Sequence, residues 1–302
     1  MKTKTLLLLS LLATMQFLLQ YQTFGQCPTT PINIQLPTGV LNTRIIKFKN
    51  EKLGVLNKHM TGTSQHPPGI LDINVENFFN MLDKICSRGD GVRIYFGAYC
   101  NSTIGPDDPY AVGKDNILVP IFVPTVANMG YQQDVVPEYY ILDETDQKGY
   151  RLIRQSIARD WVNNFRNTLL LELSATLPPS RNGNDNRSLW YNKADLLNWK
   201  KDIIDCQKPS HPEITTISLL WGVFEKDGNF IQANGSVKQL NVTGLLTMLF
   251  QIPKASVQTK AQKEALFLKA KKNGIKLKSI VADYDTGVPC PPGDNCDLGN
   301  SL

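Results

Sequence analysis

Residues 91–99, with the sequence GVRIYFGAY, constrain the fold of this chain more than any other stretch. Alternate positions carry different side chains, one set apolar and the other rich in arginine and tyrosine, which is the two-residue period of a β-strand. A second apolar stretch, residues 116–124, follows a long polar connection and is expected to pair with the first. The pair predicts a sheet with one face on the core and one face open to a ligand. The apolar set is Val92, Ile94, Phe96 and Ala98, and the other set is Arg93, Tyr95, Gly97 and Tyr99.

Helical and strand-like stretches are mixed along the rest of the chain. Residues 74–86 carry an apolar stripe at spacings of three and four behind Asn74, which can cap a first turn, so we predict a helix. Residues 147–173 and 189–205 also have helical periods, residues 213–225 alternate like a strand, and residues 41–49 are expected to form another strand. Pro120 cannot donate to a ladder and is expected to place residues 117–123 at a sheet edge or a bulge. The mixture predicts an α+β fold, with a mainly antiparallel sheet packed against several helices in a single domain.

The N-terminus has the layout of a secretory signal peptide. Lys2 and Lys4 precede an apolar run, and Gly25 offers a small residue for cleavage. The run of about 14 residues is shorter than the roughly 20 that cross a bilayer, so a signal peptide is favoured over a membrane anchor. Lipidation of Cys27 is a third interpretation, although Gln26 is a poor residue before a lipidated cysteine. We predict a signal peptide (residues 1–25), an α+β domain (26–289) and a Cys/Pro-rich tail (290–302) with no transmembrane segment after cleavage.

Charge and cysteine usage fit an exported protein. The formal net charge of +5 falls to about +3 without Lys2 and Lys4, which is too small to indicate a nucleic-acid partner. All six cysteines follow the predicted cleavage site, and an even number in an exported chain indicates disulfides. The pairing cannot be deduced from sequence, but two pairs have local support: Cys86 and Cys100 flank the first strand, and Cys290 and Cys296 lie close together in the tail.

The connection between the two strands, residues 101–115, is the predicted binding surface. It is longer than the roughly two to five residues usual for a hairpin, and long loops on a rigid sheet often carry binding function. An Ω-like surface loop held by its own turns explains the same residues. We predict that binding residues come from this loop and from the Tyr/Arg face of the first strand. The candidates are Arg93, Tyr95, Tyr99, Asp107, Asp108 and Tyr110.

The sequence carries no catalytic motif. It lacks G-x-S-x-G and a phosphate-binding glycine loop, so we assign no catalytic residue. Paired carboxylates, which glycan-cleaving enzymes use, are the enzymatic alternative, although adjacent acids in loops are mostly turn formers. His59 and His66 lie in a Gly/Pro-rich stretch without metal-ligand spacing and are expected to be solvated, so we predict no metal and no cofactor. The acid pairs are Asp107 with Asp108, Asp143 with Glu144, and Asp283 with Asp285.

Two further patterns have an ordinary structural explanation. Arg88-Gly89-Asp90 spells an integrin-type adhesion tripeptide, but a turn from helix to strand accounts for these residues. Residues 254–278 are rich in lysine, and a helix with a solvated lysine face explains them as well as a site for an anionic surface does.

Three patches carry a resemblance to a known family. They are the helix that leads into residues 91–97, the apolar strand at residues 117–121, and the tail sequence DTGVPCPP at residues 285–292. Together they resemble an uncharacterised family of secreted or envelope proteins of Bacteroidota-type bacteria. The resemblance implies an exported location and a short sheet followed by a Cys-Pro-Pro end. It supplies no catalytic residues, because the family has no assigned activity.

The sequence favours a non-enzymatic binding or interaction module in the periplasm, at the outer cell surface or outside the cell, with an envelope protein or a glycan as partner. A secreted, glycan-directed hydrolase with paired carboxylates is the first alternative, and an envelope structural or assembly protein is the second. The first hypothesis needs an open Tyr/Arg face, and the hydrolase needs two acids about 5–10 Å apart in a cleft. Co-purification with a neighbouring envelope protein would favour the assembly role.

Overall fold

A computed structural model describes residues 38–60, 66–67, 69–100, 115–128, 131–143, 145–179, 185–206, 216–231, 237–251, 283–284 and 288–289. Within these residues all strand pairings are antiparallel, and the predicted α+β class is confirmed. The predicted signal peptide, Cys27 and residues 290–302 lie outside them. The strands are β1 (Gly69–Asn74), β2 (Gly91–Ala98), β3 (Leu118–Asn128), β4 (Tyr131–Asp134), β5 (Tyr139–Leu142), β6 (Tyr150–Ile153), β7 (Ser188–Asn192), β8 (Thr216–Val223), β9 (Gly228–Ile231), β10 (Val237–Leu240), β11 (Leu246–Gln251), β12 (Asp283–Tyr284) and β13 (Val288–Pro289).

The described part of the chain has four helical segments, and two of them change to π-helix in the middle. The helix predicted behind Asn74 is confirmed: the Asn74 side chain accepts hydrogen bonds from the backbone N–H groups of Glu76 and Asn77. The helix predicted from residue 147 begins later, because residues 150–153 form a strand. The segments are α1 (Thr38–Lys47) with a π turn (Phe48–Lys52) and α2 (Leu53–Lys58); α3 (Val75–Cys86); α4 (Gln155–Asn164) with a π turn (Phe165–Leu169) and α5 (Leu170–Ala175); and α6 (Lys193–Cys206).

Two main sheets carry the fold. The larger has the order β13-β7-β2-β3-β5-β6, with β4 also paired to β3, and the smaller has the order β1-β8-β11-β12. The predicted pairing of residues 91–99 with residues 116–124 is confirmed, with Ile94 opposite Phe122. Strand β8 pairs with β1 and β11, and the β9–β10 hairpin is inserted between β8 and β11. Strand β11, which follows the β9–β10 hairpin in the chain, is therefore the strand that returns along β8.

The main hydrophobic core lies where the two sheets face each other. The apolar set of β2 contributes to it together with the inward residues of β8, β11 and α3. The rings of Phe96 on β2 and Trp221 on β8 meet edge to face, with centroids 5.4 Å apart. A second cluster covers the opposite face of the larger sheet and takes Trp161 and Val162 from α4. The larger sheet is thus buried on both faces, which is uncommon for an antiparallel sheet.

The helix α1–α2 replaces the strand that the sequence predicts at residues 41–49. Its buried residues are Arg44, Phe48, Lys52 and Leu56, which lie four apart. Residues four apart drift by about 40° around an α-helix, and the π turn restores the alignment because it holds an extra residue per turn. Two members of the buried stripe are cations, so apolar periodicity does not reveal the helix. The strand prediction is wrong for this reason.

Pro120 lies in an interior strand, so its prediction as an edge or bulge residue is wrong. Strand β3 is flanked by β2 and β5, but only Phe122 and Tyr140 pair between β3 and β5. Pro120 and Pro124 lie two residues to either side of Phe122, so their missing N–H groups belong to the same side of the strand. The two prolines therefore remove donors from the β3–β5 ladder and leave the β2–β3 ladder intact.

Among the described residues, no helix is both long enough and apolar enough to cross a membrane.

Candidate functional site

The predicted Tyr/Arg face of β2 is not open to a ligand. Arg93 and Tyr95 are each 1% exposed, and Tyr99 is 4% exposed. Helix α4 covers this face: the ring of Trp161 lies 4.7 Å from the ring of Tyr99, centroid to centroid. Gly97 makes the close approach feasible, because a Cβ there would lie 3.3 Å from the Cβ of Trp161. The hypothesis of an open binding face on β2 is wrong, since α4 packs where the ligand would lie.

The polar groups of this face are used inside the protein. The Arg93 guanidinium donates to Asp134 Oδ1 at 2.5 Å and to the carbonyl of Gln132 at 2.8 Å, and the Tyr95 hydroxyl donates to Asp134 Oδ2 at 2.5 Å. The β3–β4 hairpin brings Asp134 opposite Thr125, one strand away from Arg93. Because both charges are fully buried, the pair holds β2 and β4 together across β3 instead of presenting a charge to solvent.

The Arg93–Asp134 pair also affects a neighbouring tyrosine. The pKa of Tyr139 is raised to about 12, first by burial and second by the negative charge of Asp134. Tyr139 is therefore a neutral phenol at physiological pH and is a poor candidate for acid–base chemistry.

The carboxylate pairs gain no support from the described residues. Asp143 accepts hydrogen bonds from the backbone N–H and the hydroxyl of Thr145, and lies 3.3 Å from Nε of Arg151. It is a turn former with its own counter-ion. Asp107, Asp108, Tyr110, Glu144 and Asp285 lie outside the described residues, as does the side chain of Asp283, so the paired-carboxylate hypothesis stays a prediction. Among the described residues, no group of three or more His, Cys, Asp or Glu side chains could hold a metal ion.

The structure brings together a polar cluster at the end of the larger sheet, where residues 101–114 leave β2 and return to β3. We call it the loop anchor and define it as His59, Tyr99, Asn116 and Asn164. Asn116 has a positive φ of 62°, a conformation that asparagine tolerates better than most residues. Its backbone N–H donates to the carbonyl of Tyr99 at 2.9 Å, and its amide Nδ2 donates to the carbonyl of His59 at 3.0 Å. The anchor therefore fixes both ends of the connection.

Helix α4 reaches the loop anchor through its last residue. The Nδ2 group of Asn164 donates to the carbonyl of Tyr99 at 2.8 Å and to Oδ1 of Asn116 at 3.2 Å. The π turn begins at the next residue, Phe165, and π turns are frequent at functional sites. The end of β2, the start of β3 and α4 are thus joined at one point.

One member of the loop anchor, His59, forms a partly exposed pair with an acid on α5. Nε2 of His59 lies 2.9 Å from Oε2 of Glu172 on α5, with the two side chains 21% and 48% exposed. This exposure distinguishes the pair from Arg93 and Asp134. The His59–Glu172 pair is therefore able to contact a polar partner without any rearrangement of the core.

His66 is buried beside the loop anchor, so the prediction that it is solvated is wrong. Its ring Nε2 accepts the backbone N–H of Leu118 at 3.0 Å, and its Nδ1 lies 2.8 Å from the carbonyl of Pro67. The pKa of His66 is lowered to about 4 by burial, which outweighs the opposing effect of the Pro67 carbonyl. The imidazole is therefore neutral at neutral pH.

The predicted disulfide between Cys86 and Cys100 does not form between these two residues. Cys86 precedes β2 and Cys100 follows it. A strand of this length separates its ends by about 25 Å, whereas the Cα atoms of a disulfide lie at most about 7 Å apart. The two cysteines also contact different clusters, on opposite faces of the larger sheet. Cys290 and Cys296 lie outside the described residues, and their pairing stays a prediction.

Arg88-Gly89-Asp90 forms the predicted turn from helix α3 to strand β2. A Cβ on Gly89 would lie 2.2 Å from the carbonyl oxygen of Thr125, so only glycine allows this close approach. The backbone N–H of Asp90 donates to the same carbonyl, and its carboxylate accepts the N–H of Ala127.

Fold and site together define a class of protein: an antiparallel α+β protein with buried ion pairs inside and a polar cluster at one sheet end. Comparisons extend the description no further. No protein-family model, no curated protein and no solved structure matches this chain.

Sequence reasoning missed the loop anchor because its members come from four separate segments. Asn116 follows Asp115 at the entry to a strand, and such a pair is a recognisable turn signal. Asn164 has no comparable signal, because a polar residue inside a helix usually indicates the solvated side.

Proposed function

We propose that this chain is a non-enzymatic binding module, exported to the bacterial envelope, that recognises an envelope protein or a glycan. The proposed binding surface is the sheet end formed by the loop anchor, the His59–Glu172 pair and the connection that the anchor holds. Asp107, Asp108 and Tyr110 belong to this connection and remain its predicted contact residues.

One observation carries the proposal. Asn116 and Asn164 fix both ends of residues 101–114 on the rigid sheet. A loop held by its ends on a rigid scaffold is a common arrangement for binding, because the scaffold limits the conformational freedom that a partner must remove. The faces of the larger sheet are filled by two hydrophobic clusters, which leaves its ends and edges for recognition.

A binding assay with two matched triple variants tests this proposal. The probes are a glycan array and an outer-membrane extract treated with a chemical crosslinker. We expect Asp107→Asn/Asp108→Asn/Tyr110→Ala to lower the affinity for the recognised probe at least about tenfold, which corresponds to about 1.4 kcal/mol. The control variant Glu76→Gln/Asn80→Ala/Asp83→Asn removes the same charge from the exposed side of α3 and is expected to bind like the wild type.

Two outcomes would contradict the proposal. Equal loss of binding in both triple variants would mean that the loop-anchor end is not the contact surface. Turnover of a bound glycan would contradict a non-enzymatic role and would favour the paired-carboxylate hydrolase.

A further inference from the structure

His66 has a hydrogen-bond arrangement that permits only one protonation state. The backbone N–H of Leu118 can only donate, so the ring Nε2 that lies 3.0 Å away must carry a lone pair. The ring proton is then on Nδ1, where it is donated to the carbonyl of Pro67 at 2.8 Å. The backbone N–H of His66 donates to Oδ1 of Asn57 at 2.6 Å. The residue thus connects the end of α2 to the first residue of β3.

Protonation of the ring would disrupt this connection. A second proton on Nε2 would face the N–H of Leu118, and donor would oppose donor. The new positive charge would also be buried, because His66 is 2% exposed and the ring of Phe48 lies 6.3 Å from it.

The charged groups on the surrounding elements do not compensate such a charge. Helix α2 and the residue after it contribute Lys58 and His59, α5 contributes Glu172, and the start of β3 contributes Asp115. Glu172 is already paired with His59, and Asp115 lies 3.5 Å from the amide of Asn116. The causes that act on the pKa of His66 are burial and the Pro67 carbonyl, with no side-chain charge among them.

We propose that His66 is an acid-sensitive latch of the loop anchor: protonation of its ring releases the N–H of Leu118 and loosens the start of β3 beside Asn116. The latch is closed at neutral pH and opens as the pH falls from about 6.5, the ordinary pKa of histidine, towards 4. That the latch regulates recognition rests on the proposed function, whereas the latch itself depends only on the described fold.

Nuclear magnetic resonance of the full exported chain, labelled with ¹⁵N, tests the latch directly in the wild type. The ring nitrogens of His66 are expected to show the Nδ1–H form at neutral pH and to titrate more than one pH unit below 6.5, the ordinary pKa of histidine. A dominant Nε2–H form, or titration of His66 near 6.5, would overturn the proposal. Since no substitution is involved, this measurement does not depend on the folding of a variant.

Amide hydrogen exchange gives the structural response. After correction for intrinsic exchange rates, protection of the Leu118 amide is expected to fall at least about tenfold between pH 6.5 and pH 4. In His66→Gln, whose side-chain oxygen accepts a hydrogen bond but does not titrate, protection is expected to be equal at both pH values. The matched control is His59→Gln, in which the response of Leu118 should persist. Equal pH responses in the wild type and His66→Gln would overturn the latch.

The two proposals fail separately. Exchange at Leu118 needs no binding partner, so a pH response without binding to any probe leaves the latch intact and removes the proposed function. Binding at the loop-anchor end, together with a Leu118 amide whose exchange is insensitive to pH, would support the proposed function and overturn the latch.

Discussion

At the scale of single residues, the most consequential feature is a set of buried charges with matched partners. Arg93 with Asp134, and Lys52 with Asp185, are fully buried ion pairs with nitrogen–oxygen distances of 2.5 and 2.6 Å. Removal of one member leaves the other as an uncompensated buried charge, which is far more destabilising than loss of an exposed pair. These residues are therefore expected to control stability and not recognition.

Asp134→Ala tests this role of the Arg93–Asp134 pair. We expect the free energy of unfolding to fall by about 3–5 kcal/mol, because Arg93 stays charged and buried. The measurement is urea denaturation at neutral pH. Asp83→Ala is the matched control, since Asp83 pairs with Lys200 at the surface and should lose under about 1 kcal/mol. Similar losses in the two variants would mean that the buried pair does not contribute as argued.

Cys86 offers a second test at this scale. Burial raises the pKa of its thiol to about 11, so almost no thiolate exists at pH 8, and only 2% of the residue is exposed. We expect iodoacetamide without a reductant to leave Cys86 unmodified in the folded protein and to modify it in urea, as read by peptide mass spectrometry. If Cys86 remained unmodified in urea until a reductant was added, it would be in a disulfide.

At the scale of elements, the two π-containing helices are joined by one lysine. Lys52, the last residue of the first π turn, donates to the carbonyl of Leu173, the hydroxyl of Thr176 and the carboxylate of Asp185 at 2.6–3.0 Å. These contacts use all three protons of the ammonium group. They also place a positive charge at the C-terminal end of α5, where the helix dipole favours it.

Lys52→Met tests the junction between the two helices. It keeps the length of the side chain but removes the charge, so Asp185 loses its counter-ion and the end of α5 loses a donor. We expect the free energy of unfolding to fall by about 3–5 kcal/mol in urea denaturation. Lys49→Met on the same π turn is exposed and should change it by no more than about 0.5 kcal/mol. Equal effects would assign the loss to helix propensity and not to the buried contacts.

Substitution of glycine by alanine is expected to have opposite effects on stability at two positions, Gly89 and Gly54. Gly89→Ala would push a Cβ against the backbone of Thr125 and separate the turn from β3, at a cost of about 1–3 kcal/mol. Gly54→Ala in α2 has no atom within 4 Å of the new Cβ and should stabilise the helix by about 0.5–1 kcal/mol. Thermal unfolding of the two variants compares them. A stabilised Gly89→Ala variant would contradict the close approach seen at Thr125.

At the scale of the whole molecule, the larger sheet is enclosed by hydrophobic clusters on both faces. Tyr139 and Tyr140 lie next to each other on β5 and point into opposite clusters. Burial raises the pKa of both phenols, with a further contribution from Asp134 at Tyr139 and from Glu138 at Tyr140. The folded protein therefore holds these phenols in their neutral form.

The raised tyrosine pKa values predict a decline of stability at alkaline pH. An unfolded tyrosine loses its proton near pH 10, whereas Tyr139 in the folded protein does so near 12. The contribution of Tyr139 to the free energy of unfolding is fully present below pH 10. It is lost as the pH rises from 10 to 12, because the unfolded state releases the proton first. Urea denaturation across pH 8 to 11 should show the decline, and Tyr139→Phe should make it shallower. An identical slope in the variant would contradict the assignment to Tyr139.

Local patterns determined the parts of this fold that depend on neighbouring residues in the chain. The two-residue period of β2 and the capped helix α3 follow from side-chain alternation and helical spacing between near neighbours in the chain, and the pairing of β2 with β3 follows because two apolar strands are joined by one connection. The strand β8 follows in the same way. These patterns state which side of an element is apolar, and the apolar side of β2 does face the main core.

The tertiary structure alone decided what happens to the polar side of each element. Arg93 and Tyr95 can be buried because both contact Asp134, which lies 41 positions after Arg93 in the sequence. Lys52 can lie in the buried stripe of α1–α2 because it contacts Asp185, which is 133 positions further on. A charge is stable inside a protein only beside its partner, and partners so distant in sequence leave no local pattern. The loop anchor has the same origin, since His59, Asn116 and Asn164 meet only after the sheet and helices have packed.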